Sequence, residues 1–372
     1  MGDRILMGPG PCNPYPEAVE ALGRPMLGHL DPEFLGIIDE CCTRLRSIWQ
    51  TANPMTLPLS GTGSAGMEAA LVNWVGDGDR VVVAVNGIFG ERMVEVANRC
   101  GAEVIRIDVP WGQPVDPEQV AEAVRTHRPK VVGVVHAETS TGVRSDLRTL
   151  ASAEVKGDAL LLADCVTSLG GIPLAIDEWG VDLAYAGTQK CLGVAPGLAP
   201  FTIGERAWER RIETPRSWYL DLGLLGAYTG ATGEGAVRRY HHTAPISMVF
   251  SLWAGLGAVL DEGLEAAWAR HAACGSALQE GLVALGLELF AAEGYRLPEL
   301  TTVRVPERID EAAVRSTLLS RYGIEIGGGV GPLAGKVWRI GCMGHTARLR
   351  NVTLLLGALA EVLGEVDPRS HT

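Results

Sequence analysis

The chain has 372 residues, which is long enough for two domains and a large core. With 47% hydrophobic and 20% charged residues, its composition is ordinary for a globular protein and argues against disorder. Its formal net charge is −12 at pH 7 and no block of lysine and arginine occurs, which argues against nucleic acid or an anionic membrane as partner. Any anionic ligand must therefore be held by local groups.

The eight cysteines form no CxxC pair, and Cys41 and Cys42 are adjacent, so we predict neither a zinc site nor a disulfide framework. The N-terminus has no charged leader before an apolar segment, and the C-terminus carries no targeting tripeptide, which predicts a cytoplasmic protein. The charge-free stretch 243–260 is long enough to span a membrane, but Pro245 and two serines interrupt it. We predict a buried core helix there and no membrane partner.

The N-terminal residues 8–16 contain four prolines and two glycines, which predicts an extended arm and excludes a helix. Such an arm can reach a partner subunit. Helices are expected at 16–22 and 32–49, and the second has an apolar stripe at helical spacing.

The glycine-rich turn Gly61-Thr62-Gly63-Ser64 precedes a predicted helix at 65–74. Free backbone N–H groups and two hydroxyls at the positive end of a helix form an anion site that suits a phosphate. The alternative is an ordinary helix N-cap, because such a turn alone is a weak signal.

Strands and helices then alternate, which predicts a mainly parallel α/β sheet. The expected strands are 81–85, 104–107 and 131–135, and the expected helices are 91–100 and 117–126. Ligands bind beyond the carboxyl ends of such strands, so loops 86–90 and 136–142 face the ligand. Phe89 can stack there on an aromatic ring or fill the core. His136 is expected to be a hydrogen-bonded histidine at a strand end.

Two short apolar runs, 160–163 and 183–186, are typical of buried strands, and each is followed by a reactive residue, Asp164 or Lys190. An acid and an amine at the carboxyl edge of one sheet share a crevice. This pair suits pyridoxal phosphate, whose aldehyde forms a Schiff base with a lysine and whose ring nitrogen is kept protonated by an aspartate. The alternative is a surface lysine and an aspartate that caps a turn.

The last part of the chain predicts a smaller domain, with helices at 246–263 and 265–285 and strands at 301–305, 323–326 and 336–340. Before it lie His241 and His242, whose side chains point in opposite directions on an extended segment, so we predict no metal site. Arg339 lies in an apolar run and needs an anionic partner. A guanidinium binds a substrate carboxylate bidentately; the alternative is an arginine at a solvent-facing strand edge.

Seven stretches together resemble the class V aminotransferases of fold type I over nearly the whole chain: GTGSAGMEAALVNW, NGIFGER, HAETSTG, ADCVTSLGG, GTQKCLG, YHHTAP and GPLAGKVWRIGCMG. The resemblance is closest to the alanine:glyoxylate and serine:pyruvate branch and its ureidoglycine:glyoxylate relatives. It implies an α/β fold in which a mainly parallel seven-stranded sheet lies between helices. The implied domains are an N-terminal arm (1–15), a large cofactor-binding domain (16–262) and a small C-terminal α/β domain (263–372).

The resemblance also implies a pyridoxal-phosphate site with a role for each matching residue. Lys190 forms the Schiff base, Asp164 pairs with the ring nitrogen, Phe89 and Val166 cover the ring faces, and Thr139 contacts the ring hydroxyl region. The phosphate is held by Thr62, Gly63, Ser64 and Gln189, and by Tyr240 and Thr243 from the other subunit of a homodimer. Arg339 binds the substrate carboxylate. The alanine:glyoxylate enzymes carry Trp where this chain has Phe89 and His where it has Ser64.

The implied reaction is ping-pong transamination by way of pyridoxamine phosphate, with alanine or serine as donor and glyoxylate or pyruvate as acceptor. The alternative is an (S)-ureidoglycine:glyoxylate aminotransferase of purine catabolism, but those enzymes have Asn at the position of Tyr240. A cysteine desulfurase needs a nucleophilic cysteine before Arg339, where residues 326–331 have none. A non-catalytic protein of this fold would be expected to lack Lys190 or Asp164.

Overall fold

A large sheet lies in the N-terminal two thirds of the chain and a smaller one near its C-terminus. The computed structural model describes residues 4–231 and 238–366. Its helices are α1 Pro16–Leu22, α2 Pro32–Trp49, α3 Gly63–Val72, α4 Ile88–Arg99, α5 Pro117–His127, α6 Leu147–Leu150, α7 Ala153–Lys156, α8 Ile176–Trp179, α9 Glu205–Glu209, α10 Leu222–Thr229, α11 Ile246–Glu262, α12 Leu264–Ala284, α13 Glu311–Tyr322 and α14 Leu349–Val366. Its strands are β1 Ile5–Leu6, β2 Met55–Ser60, β3 Arg80–Val85, β4 Glu103–Asp108, β5 Val131–Val135, β6 Ala137–Glu138, β7 Val143–Arg144, β8 Leu160–Asp164, β9 Leu183–Tyr185, β10 Leu198–Ile203, β11 Leu300–Arg304, β12 Ile324–Glu325, β13 Gly327–Gly328 and β14 Val337–Gly341.

The large sheet has seven strands in the order β2-β10-β9-β8-β5-β3-β4. Strand β10 is antiparallel to both neighbours, and the other pairs are parallel. Its central strands are continuous apolar runs because helices cover both faces. In the register of the sheet, Asp164 lies opposite Val135 on one side and Tyr185 on the other, so three strand ends meet at one edge. The predicted fold class is confirmed.

Helix α4 begins earlier than the sequence predicts, at Ile88, which places Phe89 in its first turn. Its N-cap residue, Gly87, has no side chain that could accept a hydrogen bond. The acceptors come from a distant loop: Ser140 Oγ accepts the N–H of Ile88 at 3.0 Å, and Glu138 Oε2 accepts the N–H of Phe89 at 3.2 Å. No local sequence signal marks a helix start of this kind, because its caps are distant in sequence.

The described part of the N-terminal arm lies on the C-terminal part of its own chain. Strand β1 pairs in parallel with β12, and Ile5 lies opposite Ile324. Met7 is fully buried, and its carbonyl accepts the N–H of Gly341 at 2.8 Å. The arm is extended, as predicted, and residues 1–3 lie outside the described part.

Two apolar cores follow each other along the chain. The first runs from Tyr15 to Val259 and surrounds the large sheet, and the second takes most of its members from Cys274 onwards. The predicted boundary after residue 262 falls between them, and the domain limits stay a prediction.

Helix α11 is largely buried in the first core, as predicted for the stretch 243–260. Within residues 4–231 and 238–366, no single helix is long and apolar enough to cross a membrane. Helices α11 and α12, bent by 85°, meet the criteria of length and composition only as a pair. Residues 367–372, which include the C-terminal tripeptide considered above, are outside the described residues.

Residue 299 is a glutamate that is buried in the protein. Glu299 is fully buried, and neither of its carboxyl oxygens has a hydrogen-bond partner among the residues described. Its neighbours Leu297 and Leu300 belong to a small apolar cluster that also contains Cys12 and Cys191. Burial raises the pKa of Glu299 to about 8, so the acid is mostly protonated at neutral pH.

Replacing Glu299 by glutamine is expected to stabilise the fold at alkaline pH. The pKa of Glu299 is higher in the folded chain than in the unfolded one, so the protonated acid contributes its full share of the free energy of unfolding below the ordinary pKa of 4.5. That share is lost as the pH rises through about 8, whereas glutamine does not ionise. The free energies of unfolding of Glu299→Gln and the natural chain should be similar near pH 4. The variant should gain a few kcal/mol by pH 9, at about 1.4 kcal/mol for each unit of pKa. Urea denaturation across this range measures the difference, and one that does not vary with pH contradicts the assignment.

Candidate active site

Lys190 lies in the turn that follows β9, and its side chain is almost fully buried. The N-terminal arm covers it: the amine donates to the carbonyl of Pro9, and Cys12 Sγ donates to the carbonyl of Lys190 at 3.1 Å. The N–H of Cys12 also donates to the carbonyl of Gln189 at 3.0 Å. Burial lowers the pKa of Lys190 to about 8, which makes the neutral amine accessible near neutral pH.

Asp164 is the last residue of β8 and is almost fully buried. Its Oδ1 accepts the N–H of Val166 at 2.9 Å, and its Oδ2 accepts the hydroxyl of Tyr185 at 2.8 Å. Burial raises the pKa of Asp164 to about 6, against the opposing effects of these hydrogen bonds and of the charge on Lys190. Asp164 in turn favours the charged form of Lys190, so the structure brings this pair into electrostatic contact.

The glycine-rich turn leads into α3, whose first residue is Gly63. The N-cap Thr62 makes no side-chain capping bond, and the first N–H groups of a helix have no acceptor within it. Ser64 Oγ accepts from Arg92 Nη1 at 3.2 Å, which adds a positive charge to this end of the helix. The turn therefore offers N–H groups, hydroxyls and a cation to an anion.

Arg92 is a site residue that sequence reasoning missed. Its guanidinium carbon lies 5.1 Å from the centroid of the Phe89 ring, and its charge favours the ionised form of Asp164. The signal was present in the sequence, because Arg92 follows Phe89 by one helical turn in the motif NGIFGER.

Arg339 extends from β14, the central strand of the small sheet β11-β14-β13, towards the large one. Its Nε donates to the carbonyl of Gly328 at 2.7 Å, and its Nη1 donates to the carbonyl of the buried Thr139 at 3.4 Å. No carboxylate forms an ion pair with it within residues 4–231 and 238–366. Desolvation lowers the pKa of Arg339, so a carboxylate ligand would supply a missing counter-charge.

Glu138, at the end of β6, is a second residue that sequence reasoning missed. It is fully buried, and its Oε1 accepts both the N–H and the hydroxyl of Ser140, at 2.9 and 2.6 Å. Its Oε2 accepts the N–H of Phe89. Burial raises the pKa of Glu138 to about 7. The sequence showed an acid in HAETSTG but nothing that told where its carboxyl group points.

Tyr240 and Thr243 lie at the surface, as do Thr62 and Ser64 of the glycine-rich turn. Tyr240 is 60% exposed, Thr243 is exposed as well, and neither forms a hydrogen bond with another predicted site residue in the part of the chain that is described. An aromatic surface is close by, since His241 between them stacks on Trp218 with ring centroids 4.4 Å apart. Neither side chain is tied by a hydrogen bond to Lys190 within residues 4–231 and 238–366.

The paired histidines are joined to each other and to the glycine-rich turn. His241 Nδ1 and His242 Nδ1 are 2.8 Å apart, and His242 Nε2 lies 2.6 Å from the hydroxyl of Ser60, the residue before Gly61. His241 Nε2 lies 3.2 Å from the carbonyl of Trp218. No group of three or more His, Cys, Asp or Glu side chains suited to a metal ion occurs among the residues described.

The arrangement fits pyridoxal phosphate. Gln189 Oε1 is buried without a hydrogen-bond partner among the described residues, and a rotated amide would present its N–H₂ group to a phosphate. A methyl group on Gly63 would lie 2.7 Å from Val166 Cγ2, so the turn packs tightly against the side chain two residues after Asp164. A buried amine and a buried carboxyl group complete the set of groups that the cofactor requires.

Comparison with known proteins shows the family of the chain. Residues 12–335 match the family model for aminotransferase class-V. An alanine–glyoxylate aminotransferase of Drosophila melanogaster is 40% identical over 97% of this chain and 92% of its own length, and an (S)-ureidoglycine–glyoxylate transaminase of Bacillus subtilis is 38% identical over 97% and 90%. The crystal structure of an alanine–glyoxylate aminotransferase from Nostoc sp. superimposes with a TM-score of 0.94 at 47% identity, covering 98% of this chain and 96% of that one. The chain therefore belongs to the class V aminotransferase family and is a pyridoxal-phosphate-dependent transferase.

Proposed function

We propose that this enzyme transfers the amino group of alanine or serine to glyoxylate, with pyruvate as a further acceptor, in a ping-pong sequence. The observation that carries the proposal is the burial of Lys190 and Asp164 at one sheet edge, where each acts on the ionisation of the other. Alanine–glyoxylate aminotransferases that are 40 and 47% identical over nearly the full length support this choice of substrates. A cytoplasmic location stays a prediction.

One chain would supply most of the residues that hold the cofactor. When bound, pyridoxal phosphate stabilises the negative charge that develops at the substrate Cα. Its holding residues are Lys190 at the aldehyde, Asp164 at the ring nitrogen, Phe89 and Val166 at the ring faces, Thr139 near the ring hydroxyl, and Thr62, Gly63, Ser64 and Gln189 at the phosphate.

Lys190 Nζ is the group that moves the proton. Near neutral pH, an amine with a pKa of about 8 is neutral in a usable fraction of molecules, whereas an exposed lysine with its ordinary pKa of 10.5 is not. The neutral amine would take the proton from Cα of the donor amino acid and, because the donor leaves as a 2-oxo acid, would pass it to the cofactor. With the acceptor the amine would move a proton in the reverse direction, from the cofactor to Cα of the amino acid that is formed. The arm that covers Lys190 keeps the transfer away from bulk water.

Arg339 orients the substrate. Hydrogen bonds from its guanidinium to the carbonyls of Gly328 and Thr139 fix the plane of the group. The remaining N–H groups of the guanidinium can then bind a carboxylate. Bidentate binding of the α-carboxylate would then hold Cα at a fixed distance from the cofactor ring.

The second candidate function is transamination of (S)-ureidoglycine with glyoxylate. The relative from Bacillus subtilis, 38% identical over 97% of this chain, favours it. Tyr240 favours alanine or serine, because the ureidoglycine enzymes that the sequence resembles have Asn there, where a ureido group could be hydrogen-bonded. Glyoxylate is the acceptor in both candidates.

The functional unit would be a homodimer. Tyr240 and Thr243 are exposed, and Trp218 beside them is 61% exposed, a large aromatic surface for a single chain. In the dimer these two side chains would reach the cofactor phosphate of the partner subunit.

Replacing Lys190 by alanine is expected to abolish repeated turnover of alanine with glyoxylate. The buried amine both holds the cofactor and carries the proton, so kcat should fall by about 10³-fold or more. Pyruvate production, followed over many enzyme equivalents, measures the effect. The matched control is Lys336→Ala, which removes an exposed lysine and should keep full activity.

Formation of glycine from glyoxylate, the product common to all donors, compares alanine, serine and (S)-ureidoglycine at fixed glyoxylate. A higher kcat/KM with alanine or serine is the expected result, and a clear preference for ureidoglycine selects the second candidate. Turnover by Lys190→Ala with any of the three donors contradicts the role of the lysine.

Mixed dimers should recover activity that their two parent variants lack. One subunit carries Lys190→Ala, and the other carries Tyr240→Phe together with Thr243→Ala. If the two phosphate ligands cross the interface, one of the two sites in the mixed dimer is fully intact, and kcat should be about half that of the natural dimer. Co-expression with two different tags isolates the mixed species. Activity no higher than that of the parents places both side chains in their own subunit's site.

Gly10→Ala is expected to displace the amine of Lys190. A methyl group at Gly10 would lie 2.6 Å from Lys190 Cδ and Nζ, and the φ of +103° at Gly10 is one that other residues rarely adopt. A displacement of about 1 Å should lower kcat by about a hundredfold and change KM for alanine little. Gly8→Ala is the control, since its nearest neighbour would be 3.7 Å away. Equal rates for the two variants would show that the arm does not position Lys190.

A further inference from the structure

The first turn of helix α4 is capped by the carboxyl group of Glu138, which lies on strand β6. The first turn of a helix needs acceptors for its free N–H groups, which its own N-cap side chain normally supplies. Gly87 cannot, so Glu138 and Ser140 supply them for Phe89 and Ile88. A residue remote in sequence thus fixes the backbone of the aromatic residue beside the cofactor site.

The three hydrogen bonds of the Glu138 side chain are all ones that it accepts. Three donors converge on its two oxygens: the N–H of Phe89 at 3.2 Å, the N–H of Ser140 at 2.9 Å and the hydroxyl of Ser140 at 2.6 Å. No lysine or arginine forms an ion pair with it in the residues described. A glutamine of the same shape would turn an N–H₂ group towards at least one of these donors and lose that bond.

The shape of the neighbouring turn matches this carboxyl group. A methyl group at Gly87 would lie 2.4 Å from both Cγ and Cδ of Glu138, so the acid occupies the space that any other side chain would need. Glu138 also acts electrostatically at both ends of the site. Its negative charge favours the ionised form of Arg339, and the carboxylates of Glu138 and Asp164 repel each other. The carboxyl group therefore belongs to the structure of the site, although it contacts neither residue directly.

We propose that Glu138 is a positioning residue for the cofactor. By holding the backbone N–H of Phe89, it places the Phe89 ring where it covers one face of pyridoxal phosphate. The inference rests on the proposed function, in which Phe89 stacks on that ring.

The test compares two isosteric changes at fully buried acids, Glu138→Gln and Glu299→Gln. Glu138 accepts three hydrogen bonds, whereas the side chain of Glu299 accepts none from the described residues. Both variants therefore lose a buried acid, but only Glu138→Gln also loses a hydrogen-bond acceptor. The cofactor is removed from each variant, and pyridoxal phosphate itself is titrated back, followed by absorbance of the bound form. Glu138→Gln should bind it about tenfold to a hundredfold more weakly than the natural chain, and Glu299→Gln within about threefold of it.

A double-mutant cycle with Phe89→Leu identifies the route of the effect. If Glu138 acts through the Phe89 ring, Glu138→Gln should weaken cofactor affinity by less than about threefold once that ring is gone. Circular dichroism of the bound cofactor should change in the same way in both single variants. Losses of affinity that multiply in the double variant overturn the proposal, as does equal affinity of the two glutamine variants.

Two further results keep the outcomes apart. If Glu138→Gln does not fold, Glu138→Asp takes its place, because the shorter side chain keeps the charge but cannot reach the N–H of Phe89, and the same loss is expected. If the natural chain itself neither binds pyridoxal phosphate nor transfers amino groups, the proposed function fails. If it does both and Glu138→Gln matches Glu299→Gln, only the positioning role is lost.

Discussion

Burial of an amine and a carboxyl group at the carboxyl edge of one sheet is the constraint on which the site depends. Water would otherwise solvate both groups, so the fold must supply hydrogen bonds in its place. Tyr185 and the N–H of Val166 hold Asp164, and the carbonyl of Pro9 holds Lys190. These contacts give each group a hydrogen-bond partner but no charge to neutralise it. The pKa values of the two groups move towards each other, to about 6 for Asp164 and about 8 for Lys190. Such a pair is prepared for proton transfer near neutral pH.

The two ends of the proposed substrate site come from different cores. Asp164 belongs to the large sheet and Lys190 to the turn after its strand β9. Arg339 belongs to the small sheet and donates to the carbonyl of Thr139. The N-terminal arm joins both parts, because it pairs with β12 and then passes over Lys190. The distance between the proton-transferring amine and the carboxylate-binding arginine is therefore set by packing between cores.

The sequence predicted the parts of the site that local pattern controls. Apolar runs located the strands that carry Asp164 and Arg339, and the glycine-rich turn located the start of α3. Contacts between distant segments could not be predicted. Glu138 is 49 residues from the N–H that it accepts, and Lys190 is 181 residues from the arm that covers it. Nothing in their own neighbourhoods encodes these partners, and the early start of α4 escaped prediction for the same reason.

The chain of hydrogen bonds through the paired histidines has a direction. A carbonyl oxygen can only accept a hydrogen bond, so the contact with the main-chain carbonyl of Trp218 requires a hydrogen on His241 Nε2. With a neutral His241, its Nδ1 must accept from His242 Nδ1, and His242 Nε2 must in turn accept from Ser60. One main-chain oxygen thereby dictates the tautomer of two rings and the rotor of a hydroxyl beside the glycine-rich turn.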